Sequence, residues 1–102
     1  SCLDSGVDMK SCAITFYIEA DGLLNLSYKK LKYKLNASQK RILLNEQRNW
    51  LKKRDKYFEE VFEETKSENG GNTLSNDFKM IYFDKKAEFV IERVKELISK
   101  IK

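Results

Sequence analysis

The sequence predicts an all-α protein, an antiparallel bundle of three long helices. Three observations carry that expectation. No proline occurs in the 102 residues, so nothing forbids long uninterrupted helices. Apolar residues recur at steps of three or four through three long stretches, the spacing of a helix that buries one face. Only two breaks interrupt the periodicity, at Asn36-Ala37-Ser38-Gln39 and at Ser67 to Thr73. A lone helix cannot bury its own apolar stripe, so the three must cover one another. The length suits a single helical domain, 1–102, with an N-terminal arm over 1–6 and a loop over 67–73.

The first helix is expected from Val7 to Leu35. Ser5-Gly6-Val7-Asp8 reads as a capping box, in which the serine hydroxyl accepts a backbone N–H and the aspartate reaches back. The buried stripe is Met9, Ala13, Phe16, Ala20, Leu24, Tyr28, Leu31 and Leu35. Gly22 falls mid-helix, costs about 1 kcal/mol relative to alanine, and reads as a place for close packing or a slight bend.

The second helix is expected from Ser38 to Lys66, with Asn36 or Ser38 as its cap. The short connection makes it an antiparallel neighbour of the first. Its inner face reads Leu43, Gln47, Trp50, Arg54, Tyr57, Val61. Two polar side chains intrude on that stripe, one turn either side of the tryptophan. Desolvating an unpaired guanidinium costs several kcal/mol, so this face must meet an acidic or carbonyl partner or open into a groove. The expected arrangement stacks Arg54 on Trp50 and gathers Glu19, Asn25, Gln47 and Arg54 into a cross-helix polar cluster. Exposure of Trp50, Arg54 or Asp55 is the alternative, and would mark a partner-binding surface.

Periodicity resumes at Leu74 and continues through Phe78, Ile81, Tyr82, Phe89, Val90, Val94, Leu97 and Ile101. Lys85 interrupts this stripe. The third helix is therefore either continuous or kinked or split near Asp84 to Lys86.

Composition narrows the function. Twenty basic residues against sixteen acidic ones give a net charge of +4. The charges mostly alternate in sign, as on solvated faces; the nearest approaches to a basic patch, Lys29-Lys30-Leu31-Lys32-Tyr33-Lys34 and the tail Lys95 to Lys102, are too slight to argue for nucleic acid. No apolar run approaches the length that spans a bilayer. With no histidine, neither a histidine-based triad nor a histidine-containing zinc set can form. Gly70-Gly71 lacks the strand and lysine of a phosphate loop. The chain is expected to be no enzyme and to need no cofactor or metal.

Glu59, Glu60, Glu63 and Glu64 read first as a solvated face with ion pairs one turn apart. With Glu68, Gly70 and Gly71 they read second as a partner-binding edge. Lys95, Lys100 and Lys102 with Leu97, Ile98 and Ile101 form either an anionic-membrane face or the stripe that closes the bundle. Cys2 and Cys12 are two free thiols or one disulfide.

A longer pattern joins these pieces. Asp8-Met9 and Cys12-Ala13 lead into Ala20-Asp21, Leu24-Asn25, Tyr28-Lys29, Leu31 and Leu35. Gln39-Lys40, Glu46-Gln47-Arg48-Asn49-Trp50 and Arg54-Asp55 follow, then Gly70-Gly71 and Glu92-Arg93. In order and spacing this resembles the N-terminal domain family of the LprI-type lysozyme inhibitors, over nearly the whole chain. The resemblance implies a small exported bacterial helical protein, periplasmic or extracellular, in some members lipid-anchored. It favours a Cys2–Cys12 disulfide, with lipidation of Cys2 as the alternative. It marks Asp21, Asn25, Tyr28, Gln47, Arg48, Trp50, Arg54 and Asp55 as residues that hold the fold.

Two departures from the family pattern stand out. Where many members carry a second cysteine pair, this chain has Phe58 and, at about Lys85, no cysteine. Val90-Ile91-Glu92-Arg93 lacks the family's capping threonine, which favours a continuous last helix. The expected function is protein binding in the cell envelope with an unnamed partner. Inhibition of lysozyme or a related muramidase is one alternative, and binding to an anionic membrane surface is another. The sequence leaves the oligomeric state open.

Overall fold

The computed structural model describes residues 9–101. It contains three helices, α1 (Met9–Tyr33), α2 (Ala37–Glu68) and α3 (Asn76–Ile101). The predicted capping box at Ser5 to Asp8, the residue Cys2 and the terminal Lys102 lie outside the described residues. α2, with 32 residues, has the length of the whole molecule, whose extents are 49 × 31 × 15 Å.

Local chemistry sets the helix ends. Asn36 caps α2: its Oδ1 accepts the Gln39 N–H at 2.8 Å, and the Gln39 Oε1 accepts the Asn36 N–H at 3.0 Å. This reciprocal pair satisfies two otherwise orphaned donors. α2 ends where Gly70 and Gly71 adopt φ of 63° and 84°, a region that L side chains rarely occupy. The Gly71 N–H closes the turn on the Lys66 carbonyl at 2.8 Å. Ser75 then accepts the Phe78 N–H at 3.1 Å and starts α3. The chain therefore enters α3 two residues later than the periodicity predicts, and Leu74 stands 80% exposed in the turn.

The helices run up, down and up. Tyr17 lies across from Phe83, and Lys34 reaches the Ile101 carbonyl, so α1 and α3 are parallel. Their backbones stay close along their length, while α2 stands further off. Small residues make this approach workable. The same register sets Ala20 across from Ala87, and both are fully buried. Leu24, Leu31, Val90, Val94 and Leu97 complete the seam. The alternating steps of three and four in Ala13, Tyr17, Ala20, Leu24, Ser27, Leu31 are those of a coiled-coil seam.

This geometry corrects three expectations. α1's tight neighbour is α3, not α2. Its inner stripe includes Tyr17 and Ser27, while Phe16 lies outside it at 39% exposure. Gly22 serves no close contact, since a Cβ there would meet nothing within 4 Å.

α3 is unbroken through Asp84 to Lys86. Lys85 turns outward to Glu64 at 3.7 Å. Lys86 is instead enclosed by rings: its Nζ lies 4.4 Å from the Tyr17 centroid, 4.7 Å from Tyr82, and 4.9 Å from both Phe58 and Phe83. Burial pushes its ammonium pKa down and the nearby Arg54 charge adds to that, with Asp21 opposing. The rings favour the cation and let a charged residue sit inside an aromatic cluster. Phe58 thus joins α2 to α3 through a ring–cation contact.

Candidate functional site

Arg93 is the most deeply buried charge among the described residues, at 2% exposure. It projects from α3 onto the tryptophan face of α2. Its Nε and Nη2 donate to the single oxygen Gln47 Oε1 at 3.0 and 2.9 Å. Its Nη1 reaches Glu46 at 3.0 Å and Glu96 at 3.1 Å. The guanidinium carbon lies 5.9 Å from the Trp50 ring centre. Lys100 donates to the same Glu46 carboxylate. The Lys100 hydrogen bond, aided by Arg93, holds the Glu46 carboxyl below its ordinary pKa against the opposing effect of burial.

Trp50 is buried and stacks on Phe89 at 5.7 Å and 19°, and Phe89 stacks in turn on Tyr57 at 4.5 Å. The tryptophan is thus a packing residue at the α2–α3 seam. A groove of about 480 Å³ opens above it, lined by Glu46, Asn49, Lys53, Glu92, Arg93 and Glu96 among others.

The intruding polar residues of α2 find partners other than those expected. Gln47 serves Arg93. Arg54 donates to its neighbour Asp55 through Nε at 3.1 Å and Nη2 at 2.8 Å, and lies over Phe58 at 5.7 Å rather than over Trp50. Glu19 and Asn25 are exposed, so the cluster of Glu19, Asn25, Gln47 and Arg54 does not form.

Most of the marked residues do converge. Asp21, Asn25, Tyr28, Gln47, Arg48 and Arg54 line one groove of about 360 Å³ between α1 and α2. Trp50 belongs to the other side of α2, and Asp55 stands at the surface.

The acidic residues singled out from sequence, Glu59, Glu60, Glu63, Glu64 and Glu68, are all exposed on the last half of α2. They lead to the Gly70-Gly71 turn and the projecting Leu74. From Asp55 to Lys79 seven acids face three bases. The opposite end of the bundle is the reverse: between Asp21 and Glu46 the chain carries six bases and no acid. The molecule is charged negative at the glycine turn and positive at the α1–α2 hairpin.

The C-terminal lysine face contributes to closing the bundle through Leu97, while Ile98 is exposed. Leu97 is fully buried, Lys100 is held by Glu46, and Lys95 pairs with Glu92 at 3.2 Å. Arg93 enters the sequence pattern only as part of Glu92-Arg93, although it carries the same signal as Arg54. Phe89, Arg93, Leu97 and Lys100 follow one another at steps of three and four, a guanidinium again inside an apolar stripe.

Among the described residues no cluster of side chains could hold a metal ion, and no helix is long and apolar enough to cross a membrane. A family model described as lysozyme inhibitor LprI matches residues 2–97. No curated protein and no solved structure matches the chain significantly.

Proposed function

We propose, for a chain that belongs to the lysozyme inhibitor LprI family, that it acts as one helical domain that binds and inhibits a lysozyme or related muramidase outside the cytoplasm, and catalyses nothing itself. One observation carries the reading: the separation of charge along the bundle. Many lysozymes are basic, and a net positive inhibitor would meet an opposing field. The glycine-turn end answers this difficulty. It presents Glu59, Glu60, Glu63, Glu64 and Glu68 beside an exposed leucine, Leu74, on a turn fixed by two left-handed glycines. A narrow, acidic, preorganised end suits a cationic cleft, since little ordering is left to occur on binding.

On this reading Asp21, Asn25, Tyr28, Gln47, Arg48, Trp50, Arg54 and Asp55 hold the helices in register. A Cys2–Cys12 disulfide would pin the N-terminal arm to the start of α1. It is supported by the half-buried place of Cys12 and by the absence of a free cysteine among the described residues. Such a bridge belongs to an oxidising compartment, consistent with a periplasmic or extracellular protein.

The test is a turbidity assay of lysozyme on bacterial cell walls at low and moderate salt. The wild-type chain is expected to inhibit, less so as salt rises. The triple change Glu59→Gln, Glu63→Gln, Glu68→Gln should weaken inhibition at least tenfold with helicity unchanged. Absence of inhibition at equimolar excess and low salt overturns the reading.

A different protein partner is the second reading. The α1–α2 groove favours it, because Asn25 and Arg48 stand exposed at its rim. Capture of an envelope protein that is lost with Asn25→Ala and Arg48→Ala, with no lysozyme inhibition, would select it.

A further inference from the structure

We infer that the α1–α2 hairpin end of the bundle is a docking surface for an anionic lipid membrane. The fold assembles this end from three separate parts of the chain: the last turn of α1, the first turn of α2 and the last turn of α3. The hydrogen bond from Lys34 to the Ile101 carbonyl and the contact of Lys100 with Glu46 tie the three together.

Two features coincide there. The first is charge. Lys29, Lys30, Lys32, Lys34, Lys40 and Arg41 are all exposed, and no acidic residue stands among them in sequence. The acids of α3's last turns are already engaged, Glu92 by Lys95 and Glu96 by Arg93. The second is apolar exposure. Tyr33 is 89% exposed and Ile42 64%, the one at the end of α1 and the other at the start of α2. Tyr33 and Ile101 line a shallow surface hollow with Lys29, Lys30 and Lys34.

Charge complementarity selects the occupant. Lysines beside an exposed tyrosine, with an exposed isoleucine at the start of the next helix, match the boundary between anionic headgroups and acyl chains, where a tyrosine ring also sits well. A cationic protein partner is repelled here. A phosphodiester polymer would use the lysines but would leave the isoleucine without a favourable partner. The inference is independent of lysozyme inhibition, which is placed at the other end of the bundle.

The experiment is flotation of the full chain with vesicles of phosphatidylcholine alone or with about one third phosphatidylglycerol, at low and high salt. Binding is expected only to the anionic vesicles, and it should fall steeply with salt. Replacing three of the lysines (Lys29→Gln, Lys30→Gln, Lys32→Gln) should reduce partitioning roughly a hundredfold, at about fivefold per charge near the surface. The pair Tyr33→Ser, Ile42→Ser should reduce it at least tenfold with all charges kept. A control at the opposite end, Lys66→Gln with Lys79→Gln, should bind as wild type, and circular dichroism should show every variant fully helical. No binding, equal binding to neutral vesicles, or equal loss in the control overturns the inference. So does binding to a short DNA duplex as tight as to the vesicles and unchanged by the Tyr33 and Ile42 substitutions.

Discussion

At the scale of single residues, Arg93 fixes how α2 meets α3. Its guanidinium satisfies Gln47, neutralises Glu46 and Glu96, and covers Trp50. Arg93→Ala should cost about 2–3 kcal/mol in urea unfolding. That is less than for a wholly buried pair, because the two glutamates reach water. Arg93→Met should cost less than alanine, since its stem still packs on the indole. Glu46 gives the acid response a definite sign. Its native pKa lies below the ordinary 4.5, so the native state binds its proton later than the unfolded chain does. The stabilisation is present above that ordinary value and disappears as pH falls through the lowered native one. Stability curves of the wild type and Glu46→Gln should therefore converge on acidification; a constant gap would refute the assignment. The polar intrusions were legible in the sequence as a broken apolar stripe. Their partners were not, because Gln47 and Arg93 are brought together by helix register, which local periodicity does not encode.

At the scale of elements, the three helices and their breaks follow from periodicity and capping, with the ends that lie among the described residues displaced by one or two residues. Asn36, paired with Gln39, could be read directly as a cap. The continuity of α3 could not be read from its stripe, because Lys85 and Lys86 look alike in sequence. One reaches Glu64 and the other enters a cage of rings, and neither breaks a backbone hydrogen bond. The α1–α3 seam depends on alanines meeting. Ala87→Leu should destabilise by about 1–3 kcal/mol or more, as the larger side chain drives the helices apart. Gly22→Ala should do the opposite and raise stability by about 0.5–1 kcal/mol, since an exposed helical position gains a better helix former. Thermal melts of the two variants shifting in opposite directions check both.

At the scale of the whole molecule, the arrangement is a thin slab with α3 as the shared partner of the other two helices. An all-α bundle was predictable; which helix lies against which was not. Three amphipathic stripes are compatible with several pairings, and side-chain size along the contact selects among them. A net charge of +4 concealed the division of charge, because the total says nothing of position. The α1–α2 hairpin sets its lysines at one end and the length of α2 sets its carboxylates at the other, while α3 is the helix that the other two pack against. A chain ending at residue 72 should therefore show little cooperative melting, although it retains two of the three helices.

The parallel pairing of α1 with α3 also orders events during synthesis. The two sides of the tightest seam are separated in the chain by the whole of α2. While α1 and α2 alone have left the ribosome, the alanine edge of the first helix has nothing to close against. Its counterpart is complete only once Leu97 has been added, and joining chain segments so far apart requires the entropic cost of a large loop to be met before any contact forms. Closing so long a loop slows the formation of this seam, and a chain cut short within α3 is expected to be more open to proteolysis than the full one.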